Sequence, residues 1–133
     1  MKQTYSANPI TLLYVAALSW LVPGAGYYLL GEKKRAAIVC VTIIVTFVIG
    51  IWAGSIGAVD PIGGKWWFYA QSLASPAVIL LGNFTKTGIY PVYGRPAEIG
   101  QIYTSIAGLL NLLCIVNCFY IAYVGKDGSQ EAK

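Results

Sequence analysis

Charged side chains fall in five short patches, and between them lie four charge-free runs at 3–31, 36–59, 66–85 and 99–125. These runs are 29, 24, 20 and 27 residues long, whereas a helix crossing the hydrocarbon core of a bilayer takes about 20 mostly apolar residues. The pattern predicts an all-α integral membrane protein of four transmembrane helices, with spans at about 9–30, 36–56, 66–83 and 99–124 and a flexible polar tail at 126–133. The spans together form one domain over residues 1–133.

The first run opens with Asn8, a good N-cap, and Pro9, suited to the first helical position. From Pro9 to Val22 there are only 14 residues, or about 21 Å of helix against a core of roughly 30 Å. Pro23-Gly24-Ala25-Gly26 then breaks the helix. Two outcomes follow: the helix kinks and continues through Leu30, or it ends and the chain turns back within the membrane. Glu32 to Arg35 marks a water-facing turn.

The second run is rich in β-branched residues from Val39 to Ile49, and its charge-free length favours a spanning helix over a strand. Gly50 and Gly54 have the GxxxG spacing that lets a second helix approach closely. Ser75-Pro76 predicts a kink in the third helix. The fourth starts near Pro96, carries Gly100, Thr104 and Gly108 on one face, and holds Asn111 near its middle. Leu29-Leu30-Gly31 recurs as Leu80-Leu81-Gly82, a possible trace of internal duplication of the kind carriers contain.

Four spans would gather Trp52, Trp66, Trp67, Tyr69, Tyr120 and Tyr123 at one surface and Tyr27, Tyr28, Tyr90, Tyr93 and Tyr103 at the other, as interfacial aromatic belts require. The same alternation puts five basic residues on the face of Lys33 to Arg35 and four opposite, which tips both termini toward the outside.

Composition narrows the chemistry. Charged residues make up 11% of the chain against about 25% in soluble domains, so a water-soluble globule is disfavoured. The net charge of +4 is scattered between spans, a topological signal and not a nucleic-acid surface. No histidine is present, which removes Ser-His hydrolysis, the usual haem ligand and mixed zinc sites. No ionisable Asp, Glu, Lys or Arg lies within the runs, and pumps and proton relays depend on such groups. Cys40, Cys114 and Cys118 read as small hydrophobes. Cys114 and Cys118 share a helix face, but two thiols alone make a poor metal site. We therefore expect no enzyme, no cofactor and no metal. Lys2 and the apolar stretch to Val22 have the outline of a secretory signal; the first run is expected to be retained.

Three features can carry function. The stretch Pro23, Gly24 and Gly26 through Gly31 reads either as a ligand site built from half-helix ends or as a tight hairpin packed on the other helices. Asn111 reads as glue to another helix or a partner subunit. Tyr90, Tyr93 and Arg95 read either as anchors for a partner or as residues resting in headgroups.

The Pro-Gly-x-Gly, Tyr and Gly positions followed by Lys33, Lys34 and Arg35 resemble the helix-turn-helix of the two-transmembrane-helix domain family. That family's His-Arg-Phe-type element has no counterpart here, so no functional residue carries over. Glu98-Ile99-Gly100, Tyr103-Thr104 and the segment from Ala107 to Leu113 resemble a late segment of small, uncharacterised bacterial membrane proteins with the same opening. This resemblance implies a bacterial cytoplasmic (inner) membrane and no known activity. The expectation is a non-catalytic scaffold or accessory subunit of a larger membrane complex, contacting lipids and other subunits or further copies of itself. The alternative is a small oligomeric channel or carrier with its site at the broken first helix.

Overall fold

A computed structural model describes residues 9–86 and 94–130. Asn8, Tyr90, Tyr93 and the last residues, 131–133, lie outside the described residues. The elements are α1 (Pro9–Leu21), α2 (Ala25–Leu29), α3 (Lys33–Gly54), a single 3-10 turn (Ile56–Ala58), α4 (Lys65–Ser72), α5 (Pro76–Thr85) and α6 (Arg95–Gln130). The backbone of 126–130, read from sequence as tail, continues α6.

Among the described residues two helices, not four, are long and apolar enough to cross a membrane: α3, and α6 from Arg95 to Val124. They pack antiparallel, with Gly50 against Thr104 and Gly54 against Gly100. A methyl on Gly54 would come within 2.6 Å of the Gly100 Cα, so the backbones touch where the GxxxG spacing allowed it. At the opposite end Ala36 and Cys118 share a core cluster with Val15 and Tyr27.

The first and third runs are broken, and each folds back on itself. Pro23 has no N–H to give the Ser19 carbonyl four residues earlier and restricts Val22, so α1 stops at Leu21. Gly24 then takes a positive φ of 85° and lies against α3, where a Cβ would sit 2.7 Å from the Ala36 oxygen. That conformation and that contact both demand glycine. The reversed chain presses Gly26 onto the Ser19 side chain and Cys118. Gly31, φ 84°, closes α2: Glu32 N–H donates to the Tyr27 oxygen (2.9 Å) and Gly31 N–H to that of Tyr28 (3.1 Å), the Schellman pattern.

The third run repeats the manoeuvre from the other end. Asp60 accepts from the N–H groups of Ile62 (2.8 Å) and Gly63 (3.0 Å) and turns the chain into α4. α4 descends parallel to α6, Gly64 beside Gln101, Ser105 donating to the Trp67 oxygen at 3.4 Å, and Gly108 seated on the Ala70 carbonyl. Ser75, extended, caps α5 by accepting from Ala77 N–H at 3.3 Å, with Pro76 at the first position. α5 climbs back along α4, with Gly82 on the Phe68 ring and the Thr85 hydroxyl donating to the Val59 oxygen at 2.5 Å.

Each half of the chain is therefore a proline-broken hairpin followed by a long helix. The α1–α2 hairpin occupies the end of the bundle where α3 begins and α6 finishes. The α4–α5 hairpin occupies the opposite end. α1 runs parallel to α3 and α4 parallel to α6, so the second half has the arrangement of the first turned upside down. The Leu-Leu-Gly recurrence does not mark this relation: Gly31 terminates α2 at positive φ, whereas Gly82 lies inside α5. The aromatic grouping changes as well. Tyr120 and Tyr123 belong to the α2 end with Tyr28, and Trp52, Trp66, Trp67 and Tyr103 to the α4 end.

Candidate functional site

The hairpin tips meet at the level of Asn111, and the unpaired backbone groups of both breaks gather there. Proline breaks free the carbonyls of Ser19 and Ser72, the residues four before Pro23 and Pro76. Those of Leu21, Leu73 and Ala74 end their helices. In the interior these acceptors need donors, since an unsatisfied buried carbonyl costs about 1–3 kcal/mol. Three side chains supply them. Asn111 is fully buried, and its Nδ2 lies 3.0 Å from the oxygens of Leu73 and Ala74 and 3.3 Å from that of Ser19. Trp20 Nε1 donates to the Ser72 oxygen at 3.0 Å, and the Ser75 hydroxyl to that of Leu21 at 3.3 Å.

Each hairpin thus supplies a donor to the other's break: Trp20 of the first reaches Ser72, and Ser75 of the second reaches Leu21. The carbonyl ends of α1 and α4 both carry partial negative charge, and the neutral donors of Asn111, Trp20 and Ser75 lie between them. The amide orientation at Asn111 follows from its partners, which are all carbonyls, so nitrogen must face them. Its Oδ1 is buried with no partner, as is Oε1 of Gln71.

A second polar layer lies toward the α4 end. Gln71, also fully buried, donates from Nε2 to the Thr104 hydroxyl (2.8 Å) and the Ala58 oxygen (3.1 Å). The Thr104 hydroxyl in turn donates to the Gly100 oxygen at 2.7 Å. At the α2 end Asn117 donates to the Tyr27 hydroxyl at 2.7 Å.

Pro23, Gly24, Gly26, Gly108 and Asn111 therefore converge around the tips. Gly50, Gly54 and Gly100 form the α3–α6 seam, and Gly31 caps α2. Arg95 opens α6 in an exposed position away from the tips. Sequence reasoning missed Ser19, Trp20 and Ser75 as parts of the junction and Gln71 as the centre of the second polar layer. The usable signal was the position four before each proline, which marks a carbonyl in need of a donor.

No reactive constellation appears among these groups. The Ser72 hydroxyl donates to the Tyr69 oxygen at 2.7 Å and the Ser75 hydroxyl is spent on Leu21. Among the described residues no group of three His, Cys, Asp or Glu side chains is placed to hold a metal ion. Cys118 packs in the core against Val15, and Cys40 lies beside Gly24.

Residues 14–130 match the family of unknown function DUF6677. The chain belongs to that family. The matched region includes both proline breaks, α3 and Asn111. No curated protein and no solved structure matches the chain.

Proposed function

We propose that this DUF6677 chain is an integral protein of the bacterial inner membrane, crossed by α3 and α6, with two re-entrant hairpins reaching mid-depth from opposite faces. Support comes from where the apolar surface lies. Only 17% of the most apolar stretch of α3 and 33% of that of α6 is buried within the chain, whereas the core helix of a soluble domain is mostly covered. Broken backbone at membrane depth is tolerated only where protein or water satisfies it, which is the work of Asn111, Trp20 and Ser75. Two crossings return both termini to one face. Lys33, Lys34 and Arg35 open α3 on that face and Lys126 lies near the end of α6 there; the other face has Lys65, Lys86 and Arg95. Among the described residues four basic residues against three favour that face as the cytoplasmic one, the reverse of the four-span count.

Within that membrane the chain acts as a non-catalytic scaffold or accessory subunit of a larger assembly. The observation that carries this reading is the internal consumption of the mid-depth donors: Asn111, Trp20, Ser75 and Gln71 all donate to groups of the same chain. What remains for other molecules is the outer apolar surface, such as Ile38, Val41 and Val48 of α3 and Leu113 and Val116 of α6. Extraction in mild detergent followed by native mass measurement tests it. Other chains or further copies are expected to accompany the 14.3 kDa protein, and a lone chain in every extract refutes the assembly.

The second reading, a small oligomeric channel or carrier, is favoured by the meeting of the carbonyl ends of α1 and α4 at mid-depth, a disposition in which broken-helix carriers hold cations. Flux in reconstituted liposomes, lost in Gly24→Leu while assembly is retained, would select this reading over the scaffold.

A further inference from the structure

The α1–α2 hairpin does not close completely against α3. A cavity of about 380 Å³ opens outward between them, walled by Leu18, Val22, Gly24, Tyr28, Lys33 and Ala37 among others. Its volume is in the range of small-molecule sites, yet its walls are apolar along their length and its side faces outward from the bundle. The groove runs from Lys33, at the first turn of α3, to Cys40, seven residues further along the helix, a depth of about 10 Å. It therefore begins at the end of the bundle bearing the basic cluster and ends at the Pro23-Gly24 break.

The mouth is chemically different from the floor. The Lys33 ammonium lies 5.8 Å from the centre of the Tyr28 ring and makes no ion pair among the described residues. Lys34 and Arg35 follow it, and the neighbouring carboxylate, Glu32, is engaged by Arg35 at 3.7 Å. A cation thus stands over an apolar slot, beside an aromatic ring and with no carboxylate partner among the described residues. An occupant that matches both parts has a hydrocarbon chain and an anionic head at one end. A protein helix matches poorly, because the slot ends at mid-depth and its rim is cationic.

We infer that the groove between the α1–α2 hairpin and α3 binds one acyl chain of an anionic glycerophospholipid, whose phosphodiester pairs with Lys33. The inference rests on the membrane reading above. Zwitterionic lipids can fill the slot, but their own ammonium competes for the phosphate, so the site selects by head-group charge. Ala37, small and exposed on α3, leaves the slot open, and a bulky side chain there would occupy it without touching the buried core.

The test uses the full chain in dodecyl maltoside, offered equal amounts of dioleoyl phosphatidylglycerol and dioleoyl phosphatidylcholine, with bound lipid counted by native mass spectrometry. Wild type is expected to retain one phosphatidylglycerol in preference to phosphatidylcholine. Lys33→Gln is expected to lower that preference about fivefold, the weight of one basic residue against anionic lipid. Ala37→Phe is expected to remove the adduct of either lipid, and Lys86→Gln, at the other end of the bundle, to change nothing. Equal retention of the two lipids by wild type, an undiminished adduct in Ala37→Phe, or a loss in Lys86→Gln as large as in Lys33→Gln overturns the inference. An alkaline carbonate wash of the source membranes separates the two levels. Protein that stays in the membrane but shows no lipid preference overturns the lipid site alone, whereas protein released by the wash overturns the membrane reading with it.

Discussion

Replacing Asn111 by Leu keeps the branched four-atom side-chain shape at the hairpin tips, with slightly larger terminal groups, and deletes every donor the side chain offers. Its Nδ2 faces three carbonyls, at 3.0, 3.0 and 3.3 Å, but an amide nitrogen has two hydrogens. Two full bonds are therefore lost. Side-chain hydrogen bonds between membrane helices average about 0.6 kcal/mol and reach about 1.7, which brackets the cost of Asn111→Leu between about 1 and 3 kcal/mol. The unpartnered Oδ1 disappears with the substitution and pulls the figure toward the lower half. Asn117→Leu is the internal comparison: it is exposed and gives one bond, to the Tyr27 hydroxyl, so its cost is about 0.6 kcal/mol. Equilibrium unfolding in mixed dodecyl maltoside and dodecyl sulfate micelles, followed by tryptophan fluorescence and circular dichroism, measures both. Equal stability of Asn111→Leu and wild type, or a larger loss at Asn117 than at Asn111, refutes the claim that Asn111 holds the two breaks together.

Three further outcomes follow from the same geometry. With Cys40, Cys114 and Cys118 replaced by Ala, Lys65→Cys and Lys86→Cys are expected to react with an impermeant maleimide from one face and Lys34→Cys from the other; Lys86 labelling together with Lys34 would restore the four-span arrangement. Gly54→Val and Gly100→Val each drive a side chain into the opposing backbone, 2.6 Å from a Cα at the Cβ alone, and should cost about 1–3 kcal/mol in the micelle titration, with no change refuting the close α3–α6 seam. Trp20→Phe removes the donor to the Ser72 oxygen and should cost about 0.6 kcal/mol, an effect that vanishes in the Asn111→Leu background only if the tips have already separated.

The two unbroken runs, 36–59 and 99–125, became α3 and α6 nearly as their charge patterns dictate. The other two also showed their breaks, at Pro23-Gly24 and Ser75-Pro76. What the chain does after a break was not legible, because a proline marks where a helix ends and says nothing of the direction taken next. That direction is set by contacts distant in sequence: Gly24 against Ala36, Gly26 against Cys118, Gly82 against Phe68. Asn111 was legible as a polar group needing a partner. Its partners were backbone carbonyls, which have no letter in the sequence, and so the junction itself could be found only in three dimensions.

The bond from Asn111 to the Ser19 carbonyl joins positions 92 apart, and this separation bears on how the protein is made. At roughly 5–20 residues per second, about 5 to 20 s elapse between synthesis of the first hairpin and arrival of the amide that satisfies it. In the membrane arrangement proposed above, the Ser19 carbonyl must be met during that interval by water or by the insertion machinery, as must that of Leu21 until Ser75 arrives, since hydrocarbon offers them nothing. On that proposal the first hairpin is synthesised before the groups that satisfy it and reaches its final depth only after they arrive. A nascent chain halted before residue 111 would be expected to leave α1 at the interface, where a protease can still reach it.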